Sequence, residues 1–404
     1  MVSGLLMELD DHNCWTIAEA IGHRGPHRLQ HLLSRAVWDD QQVLDLASAW
    51  AAAYLDDGDA VLIVDETADE KSSADAVASA RQYSGTVGGV ALCQVAVTLT
   101  FATGRGHALI GRALYLPEAC AVDEEHRELA GVPEEVLFAT EPQLASVLLE
   151  HARSLGIRAA FVAGDEVYCG RELRSIRQRG MGYVLAVRAN HAVTTGSGRT
   201  VTAAAAAGMI PARAWQRMRT GSGTKGTRHY DWAMLEVASD DAPGGHDGGH
   251  SVLLARRHRY TGQLSYYRCW TPGPVPLSKL IAIASARWRI EEDHQLSKQA
   301  AGLDAGQVIR WKSWHRWTAV CLLAYIYLAV AVAVQRQQEA ASGQDDGLVP
   351  VTVPELLRLL RDMVIPPPRR DRAHRLHWSA WRRRHQHRAR QAHRRWNAYA
   401  ETTP

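Results

Sequence analysis

Two short apolar runs, each closed by an aspartate, do most to limit what this chain can fold into. Val61-Leu62-Ile63-Val64 leads into Asp65, and Ala159-Ala160-Phe161-Val162-Ala163-Gly164 leads into Asp165. Runs this short and this apolar suit central strands, so each delivers a carboxylate at its C-terminal tip. Other elements extend the pattern. Val95 to Phe101 alternates as a half-exposed strand, His107 to Leu116 makes a third, and Pro142 to Leu155 is an amphipathic helix. After Asp165 come a helix near Arg171 to Arg179 and a strand over Tyr183 to Val187. Three strands, helix, strand, helix, strand is an α/β order.

A late charged helix supplies a third acid. In Arg287-Trp288-Arg289-Ile290-Glu291-Glu292-Asp293-His294-Gln295-Leu296-Ser297-Lys298, Glu291 lies four after Arg287 and seven before Lys298. At about 100° per residue all three project from nearly one face, a carboxylate flanked by two cations. The same spacing also decorates an ordinary solvated helix. Set after two strand-end aspartates, it forms the layout of a two-metal phosphoryl-transfer site. Mg²⁺ takes carboxylate oxygens and keeps positions for substrate phosphates. Two such ions about 4 Å apart stabilise both the entering and the leaving oxygen of an in-line displacement. Asp65, Asp165 and Glu291 are therefore the candidate catalytic and metal-binding residues. Each has an acidic neighbour, Glu66, Glu166 or Glu292. Adjacent side chains diverge by about 100° on a helix and 180° on a strand, so the neighbours are expected to point elsewhere.

Six motifs together carry a resemblance. They are Val64-Asp65-Glu66-Thr67, Arg81-Gln82-Tyr83-Ser84-Gly85-Thr86, Cys93-Gln94-Val95-Ala96-Val97, Arg112-Ala113-Leu114-Tyr115-Leu116-Pro117, Gly164-Asp165-Glu166-Val167-Tyr168 and Arg287-Trp288-Arg289-Ile290-Glu291-Glu292-Asp293. With them the chain resembles the DDE transposases, in particular the IS701 group of the IS4-like class, from about Trp15 to about Val334. The resemblance implies an RNase H-like mixed sheet with flanking helices, which the element order matches. It also implies Mg²⁺ or Mn²⁺ held by Asp65, Asp165 and Glu291. The activity implied is cleavage of double-stranded DNA at the terminal inverted repeats of an insertion sequence and strand transfer into target DNA. A homodimeric synaptic complex in the cytoplasm, associated with the nucleoid, goes with it.

Arg287, Glu291 and Lys298 match the Arg, Glu and Lys of the IS4-like signature Tyr-x₂-Arg-x₃-Glu-x₆-Lys, which implies that both cations hold DNA phosphates. Ala284 stands where the signature has Tyr, and Trp288 or Tyr83 are the substitutes on offer. Asp65 matches the family's more constant position, and Glu66 one where Asp is common. Two alternatives use the same residues: a metal-dependent nuclease without strand transfer, and an inactive DNA-binding remnant. The second draws on the fact that family members usually have further residues upstream.

The chain divides into a helical region at 1–58, a catalytic core at 59–188, a β-rich insertion at 189–275, the rest of the core with the glutamate helix at 276–340, and a linker, helix and basic tail at 341–404. Trp15 to Gly22 and His27 to Trp38 flank a Gly25-Pro26 break. That suits a helix-turn-helix presenting His27, Arg28, Gln30 or Arg35 to a major groove, and equally a plain helical hairpin. Glu66 to about Gly89 reads as a polar loop beside Asp65, with Lys71 and Arg81 on DNA phosphates. In the insertion, strand-like runs appear at Ala233 to Val237, Ser251 to Leu254 and Leu264 to Trp270. A loop from Gly221 to Trp232 offers Lys225 and Arg228 to a phosphate backbone and Trp232 to an unpaired base, against Trp232 as a core aromatic.

The net charge of +3 hides an asymmetry, because residues 361–404 hold twelve Arg against three acids, a balance of +9 that leaves −6 for the rest. Nucleic acid is the simplest partner for such a tail, and a disordered solubilising extension the alternative. Six cysteines without paired spacing argue against a zinc ribbon or a disulfide framework. No signal segment opens the chain. Trp317 to Val334 is eighteen residues without a charge, near the lower limit for a membrane span. Its Thr318, Cys321 and two tyrosines, and its place directly after the charged helix, favour a buried core helix with no membrane partner.

Overall fold

The computed structural model describes residues 1–85, 88–223, 226–239, 248–342 and 347–402. Its strands are β1 (Val61–Glu70), β2 (Ala80–Ser84), β3 (Gly89–Ala102), β4 (His107–Leu114), β5 (Phe161–Gly164), β6 (Gly182–Val187), β7 (Ala192–Thr194), β8 (Thr200–Thr202), β9 (Gln216–Gly223), β10 (Gly226–Glu236), β11 (His250–Arg257) and β12 (Leu264–Thr271). One large sheet runs β2-β3-β1-β5-β6-β12-β11-β10-β9, with β4 also paired to β3. Within it the order β4-β3-β1-β5-β6, antiparallel through β3 and parallel from β1 to β6, is the RNase H-like mixed sheet.

The apolar runs are central because both their faces are buried. Leu62, Val64 and Val162 enter one core cluster, while Val61, Ile63, Phe161 and Ala163 enter another on the opposite face. Alternate residues of a strand point to opposite sides, so only an all-apolar run satisfies both. The helix Leu277–Ala286 contributes Leu280, Ile281 and Ile283 to the second cluster, and the first is filled from Asp40–Leu55, Glu141–Ser154 and Trp311–Ser342. Glu141–Ser154 starts on a capping box between Thr140 and Gln143 with Pro142 in its first turn, which fixes where the crossover from β4 to β5 turns back.

Three expectations change. β1 does not end at Val64. Its parallel pairing with β5 stops at Val64 and Gly164, but its pairing with β3 continues to Glu70 opposite Cys93. Residues 66–70 and 80–84 are therefore strand, not a polar loop. The β-rich stretch before the glutamate helix is also no separate excursion, since β12 pairs antiparallel with β6 and prolongs the same sheet. Within it, Gly226 to Trp232 belongs to β10 and pairs with β9, so the expected loop is a β-ribbon.

The charge-free segment lies in the helix Trp311–Ser342, long and apolar enough to cross a membrane but mostly buried inside the protein. It packs on Asp40–Leu55 and β4 as a core helix. Arg316, fully buried on it, donates to the carbonyls of Leu32, Ala36 and Trp38 at 3.2, 2.6 and 3.1 Å. This fastens the end of the helix His27–Ser34. Arg316→Leu leaves three carbonyls without that donor and is expected to lower unfolding free energy by roughly 2 kcal/mol. An unchanged urea midpoint would show that water replaces the guanidinium at no cost.

Candidate active site

Register alone brings the two aspartates together. Val64 lies opposite Gly164 in the parallel pair, so Asp65 and Asp165 are the residues that directly follow the last paired positions of β1 and β5. Gly164 allows this closeness, because a Cβ there would stand 3.0 Å from Val64 Cγ2 and 3.2 Å from Tyr168 Cβ. Asp65 is buried, and its Oδ1 accepts from the Glu66 amide at 3.0 Å. Asp165 Oδ1 accepts from the Val167 amide at 2.8 Å.

Glu66 joins them. Ligand oxygens of Asp65, Glu66 and Asp165 all lie within 4.8 Å of one another. Glu66 Oε2 accepts from the Tyr168 hydroxyl at 2.8 Å. Past Gly164, among the described residues, no strand lies beside β1 on this side, so the longer Glu66 side chain reaches across the opening that strand alternation alone would deny it. The other two acidic neighbours do point away. Glu166 pairs with Arg188 at 3.0 Å, and Glu292 with His107 at 3.3 Å.

Glu291 enters the same cleft from the helix Trp288–Ala301, but through an arginine. Arg287 Nη1 lies 3.1 Å from Asp65 Oδ2 and 3.4 Å from Glu291 Oε1, so it bridges strand and helix. Lys298 Nζ is 2.7 Å from Asp69 Oδ1 and 3.3 Å from the Ala68 carbonyl. Both cations line the cleft, about 910 Å³, with the four acids and Tyr83.

Crowded, buried carboxylates resist ionisation. Burial, then the Glu66 charge, hold Asp65 well above the usual carboxylate range, against the pull of Arg287. Burial and then Asp165 raise Glu66, and burial raises Asp165 against its amide bond to Val167 and against Arg287. Glu141, at the start of its helix, also lines the cleft. Burial with the charges of Glu66 and Asp165 pushes it up to about 7. In the sequence it is an ordinary first-turn acid, with nothing to set it apart.

The remaining expected DNA contacts scatter. Lys71 is buried and donates to the carbonyls of Gly306 at 3.0 Å and Asp304 at 3.4 Å, so it ties β1 to the end of the glutamate helix and cannot face phosphate. Trp232 is fully buried, its ring stacked 5.9 Å from Tyr267, which makes it a core aromatic and not a base platform. Arg81 is exposed on β2, where Gln82 and Tyr83 beside it line the cleft. Arg228 is exposed on β10, and Lys225 lies outside the described residues. Ala284 is buried in the second core cluster, while Trp288 is exposed.

A buried polar group behind the glutamate helix has no counterpart among the sequence-based expectations. Asp293 is fully buried and accepts from Thr100 of β3 at 2.6 Å, from His107 of β4 at 2.7 Å and from the Tyr325 hydroxyl. His294 lies 2.8 Å from Thr98 Oγ1, which donates to the Asp65 carbonyl at 3.0 Å. Burial and Lys298 lower His294 to about 4, and because Thr98 gives its proton to the Asp65 carbonyl, its oxygen is left to accept from the ring. Through these bonds the helix is fixed in rotation relative to β1. The available signal was an acid and a histidine directly after Glu292, but only the fold supplies their partners.

An all-oxygen carboxylate set without thiol or imidazole suits a hard divalent cation. Asp65, Glu66 and Asp165 are the compact part of that set, and Glu291 the nearest addition. The sequence profile of a family described as DDE superfamily endonuclease matches residues 1–227. A protein described as "Probable transposase for insertion sequence element IS701", from Microchaete diplosiphon, is 25% identical over 194 residues, which cover 47% of this chain and 48% of that protein. The chain thus matches about half the length of this curated relative. A piggyBac transposase, solved in a synaptic complex with hairpin DNA, is 11% identical, with a TM-score of 0.38 over 79% of this chain and 56% of the other.

Proposed function

The chain belongs to the DDE superfamily of endonucleases, and from that premise we propose that it is an insertion-sequence transposase of the IS701 kind, which cuts double-stranded DNA at transposon ends and joins them to target DNA. The observation that carries the reading is the placement of Asp65 and Asp165 directly after the last paired residues Val64 and Gly164, with Glu66 within 4.8 Å and Glu291 joined to Asp65 through Arg287. Asp65 and Asp165 would hold Mg²⁺ or Mn²⁺, with Glu291 or Glu66 completing the set. Such ions supply activation of water and stabilisation of the departing oxygen. Arg287 offsets charge between Asp65 and Glu291, and it and Lys298, each paired to carboxylates in this acidic cleft, are the two cations that a phosphodiester would meet there. Tyr168 is kept protonated by burial and by Glu66, so it holds that carboxylate by donating to it. A homodimeric assembly on paired ends, in the cytoplasm at the nucleoid, completes the reading.

The deciding experiment incubates the protein with DNA bearing the element's ends and Mg²⁺ or Mn²⁺, then maps cut and joined products. Cut and joined ends support the transposase. Cut ends that never join identify a nuclease with the same carboxylates, and absence of both with either metal would sink the proposal.

A metal prediction needs no DNA. Because Asp65, Glu66 and Asp165 all have folded values above their ordinary ones, the folded chain binds more protons than the unfolded chain. Stability without metal therefore falls as pH rises from about 4 through those raised values. A divalent ion at about 100 times its Kd should restore roughly 2.7 kcal/mol. At one fixed ion concentration the gain should be larger near pH ~8 than near pH ~5, since the ion competes with protons and its Kd rises at low pH. Thermal melts with and without Mn²⁺ read this directly, and a pH-independent or absent shift would remove metal from the site.

A further inference from the structure

We propose that the helices Cys14–Ala20, His27–Ser34 and Arg372–Thr402 form one module that binds duplex DNA through its phosphates, apart from the carboxylate cleft. The chain's basic end is not a detached tail. His374, Trp378, Trp381 and His385 recur at helical spacing and face the N-terminal helices. Trp378 is fully buried and donates to the His23 carbonyl at 2.9 Å. His374 bonds the Glu19 carbonyl at 2.8 Å, and Trp381 packs edge-on against Trp15 with ring centres 4.7 Å apart. Arg382 pairs with Glu19.

Past that pair, as far as Ala400, the helix has charge and no counter-charge. From Arg372 to Ala400 there are nine Arg, five His and no acid. Arg383, Arg384, Arg388, Arg390, Arg394 and Arg395 are exposed, and none pairs with a carboxylate among the described residues. Like charges four apart, as in Arg384 with Arg388 and Arg390 with Arg394, each cost a helix about 0.2–0.5 kcal/mol. A helix built this way gains from a polyanion what its own sequence withholds.

The shape narrows the partner. Residues 383–395 span about 18 Å of helix, and a duplex presents one phosphate charge per about 1.7 Å of its axis. A groove of about 870 Å³ runs along the helix, lined by Arg384, Arg388, Trp381 and, from the N-terminal side, His27. Arg28 and Gln30 are exposed on that same N-terminal helix. A membrane surface fits poorly, because 383–395 has no apolar face to bury, only Ala389 and Ala392 among polar residues. The choice of DNA among polyanions rests on the transposase reading, whereas the module itself is tested without metal, so the two fail separately.

The test measures binding of the full chain to a labelled duplex of arbitrary sequence, in EDTA, over a range of KCl. The variants are Arg388→Gln/Arg390→Gln/Arg394→Gln/Arg395→Gln together, Arg28→Gln, and Asp65→Asn, each checked by circular dichroism. The quadruple variant should bind at least about 10-fold more weakly, with a log–log salt slope shallower by about 0.9 for each phosphate it no longer neutralises. Arg28→Gln should flatten the slope by about 0.9, the share of a single phosphate. An unchanged slope in the quadruple variant overturns the module, and an unchanged slope in Arg28→Gln alone removes the N-terminal helix from it. Tighter binding to phosphatidylserine vesicles or to single-stranded RNA, abolished in the same quadruple variant, would overturn duplex DNA as the partner. Loss of cleavage in Asp65→Asn with an unchanged quadruple variant would leave the active site standing and the module refuted.

Discussion

Asp65→Asn and Asp165→Asn are each expected to abolish metal-dependent DNA cleavage while leaving the fold intact. The amide keeps the size of the side chain and one acceptor oxygen, so Asp65 can still accept from Glu66 and Asp165 from Val167. What disappears is one negative charge of a compact trio. Removing an outer-shell partner of a metal site already costs about 10- to 100-fold, so loss of a direct ligand should cost more than about 100-fold. The same changes should make the metal-free protein more resistant to heat, because each removes repulsion among buried carboxylates. Glu66→Gln and Glu291→Gln belong in the series. The larger loss identifies the third ligand: Glu66 stands inside the trio, while Glu291 reaches it only through Arg287. Wild-type cleavage rates in all four variants, measured on plasmid with Mg²⁺ and Mn²⁺, would end the two-metal reading.

Asp293→Ala should produce the largest loss of stability, about 3–5 kcal/mol, as when one partner of a buried charged pair is removed. Asp293 is fully buried and holds β3, β4 and the Trp311–Ser342 helix to the glutamate helix through Thr100, His107 and Tyr325. The pH dependence identifies the mechanism. Burial alone would lower His107, but the charge and hydrogen bond of Asp293, helped by Glu292, raise it to about 9. A histidine raised on folding stabilises fully below its unfolded value of about 6.5, and this contribution, of order 3 kcal/mol, disappears as pH climbs through about 9. Urea midpoints should therefore fall between pH ~6.5 and ~9.5 in the wild type and hardly move over that interval in Asp293→Ala. A wild-type midpoint flat across that range would show that His107 carries no charge in the fold.

Much of this arrangement was legible in the residues because it depends on local pattern. A short all-apolar run suits a strand buried on both faces, and an acid directly after it suits a strand tip; that pattern singles out Asp65 and Asp165. The RNase H-like order followed from the alternation of strand and helix periods. The Arg287, Glu291 and Lys298 spacing set one helix face, and Trp317 to Val334 had to be buried somewhere.

Other features depended on which element ends beside which. Glu66 turns into the site because β5 stops at Gly164 while β1 continues along β3, a difference in strand length that no local pattern encodes. Lys71 carries the charge of a phosphate ligand but lies under the end of the glutamate helix, where carbonyls more than 230 residues away accept its hydrogen bonds. Trp232 has the composition of a base platform and the position of a core residue. The Arg-rich end looked equally like a disordered extension until Trp378 and Trp381 met His23 and Trp15 across the length of the chain. Sequence by itself determined the type of each element and the residues at its tips, since side-chain size and polarity act over a few positions. Only the tertiary structure decided which acids converge, which cations are spent on backbone carbonyls and where the basic helix is anchored, because burial and partner distance are set by contacts between residues far apart in the chain.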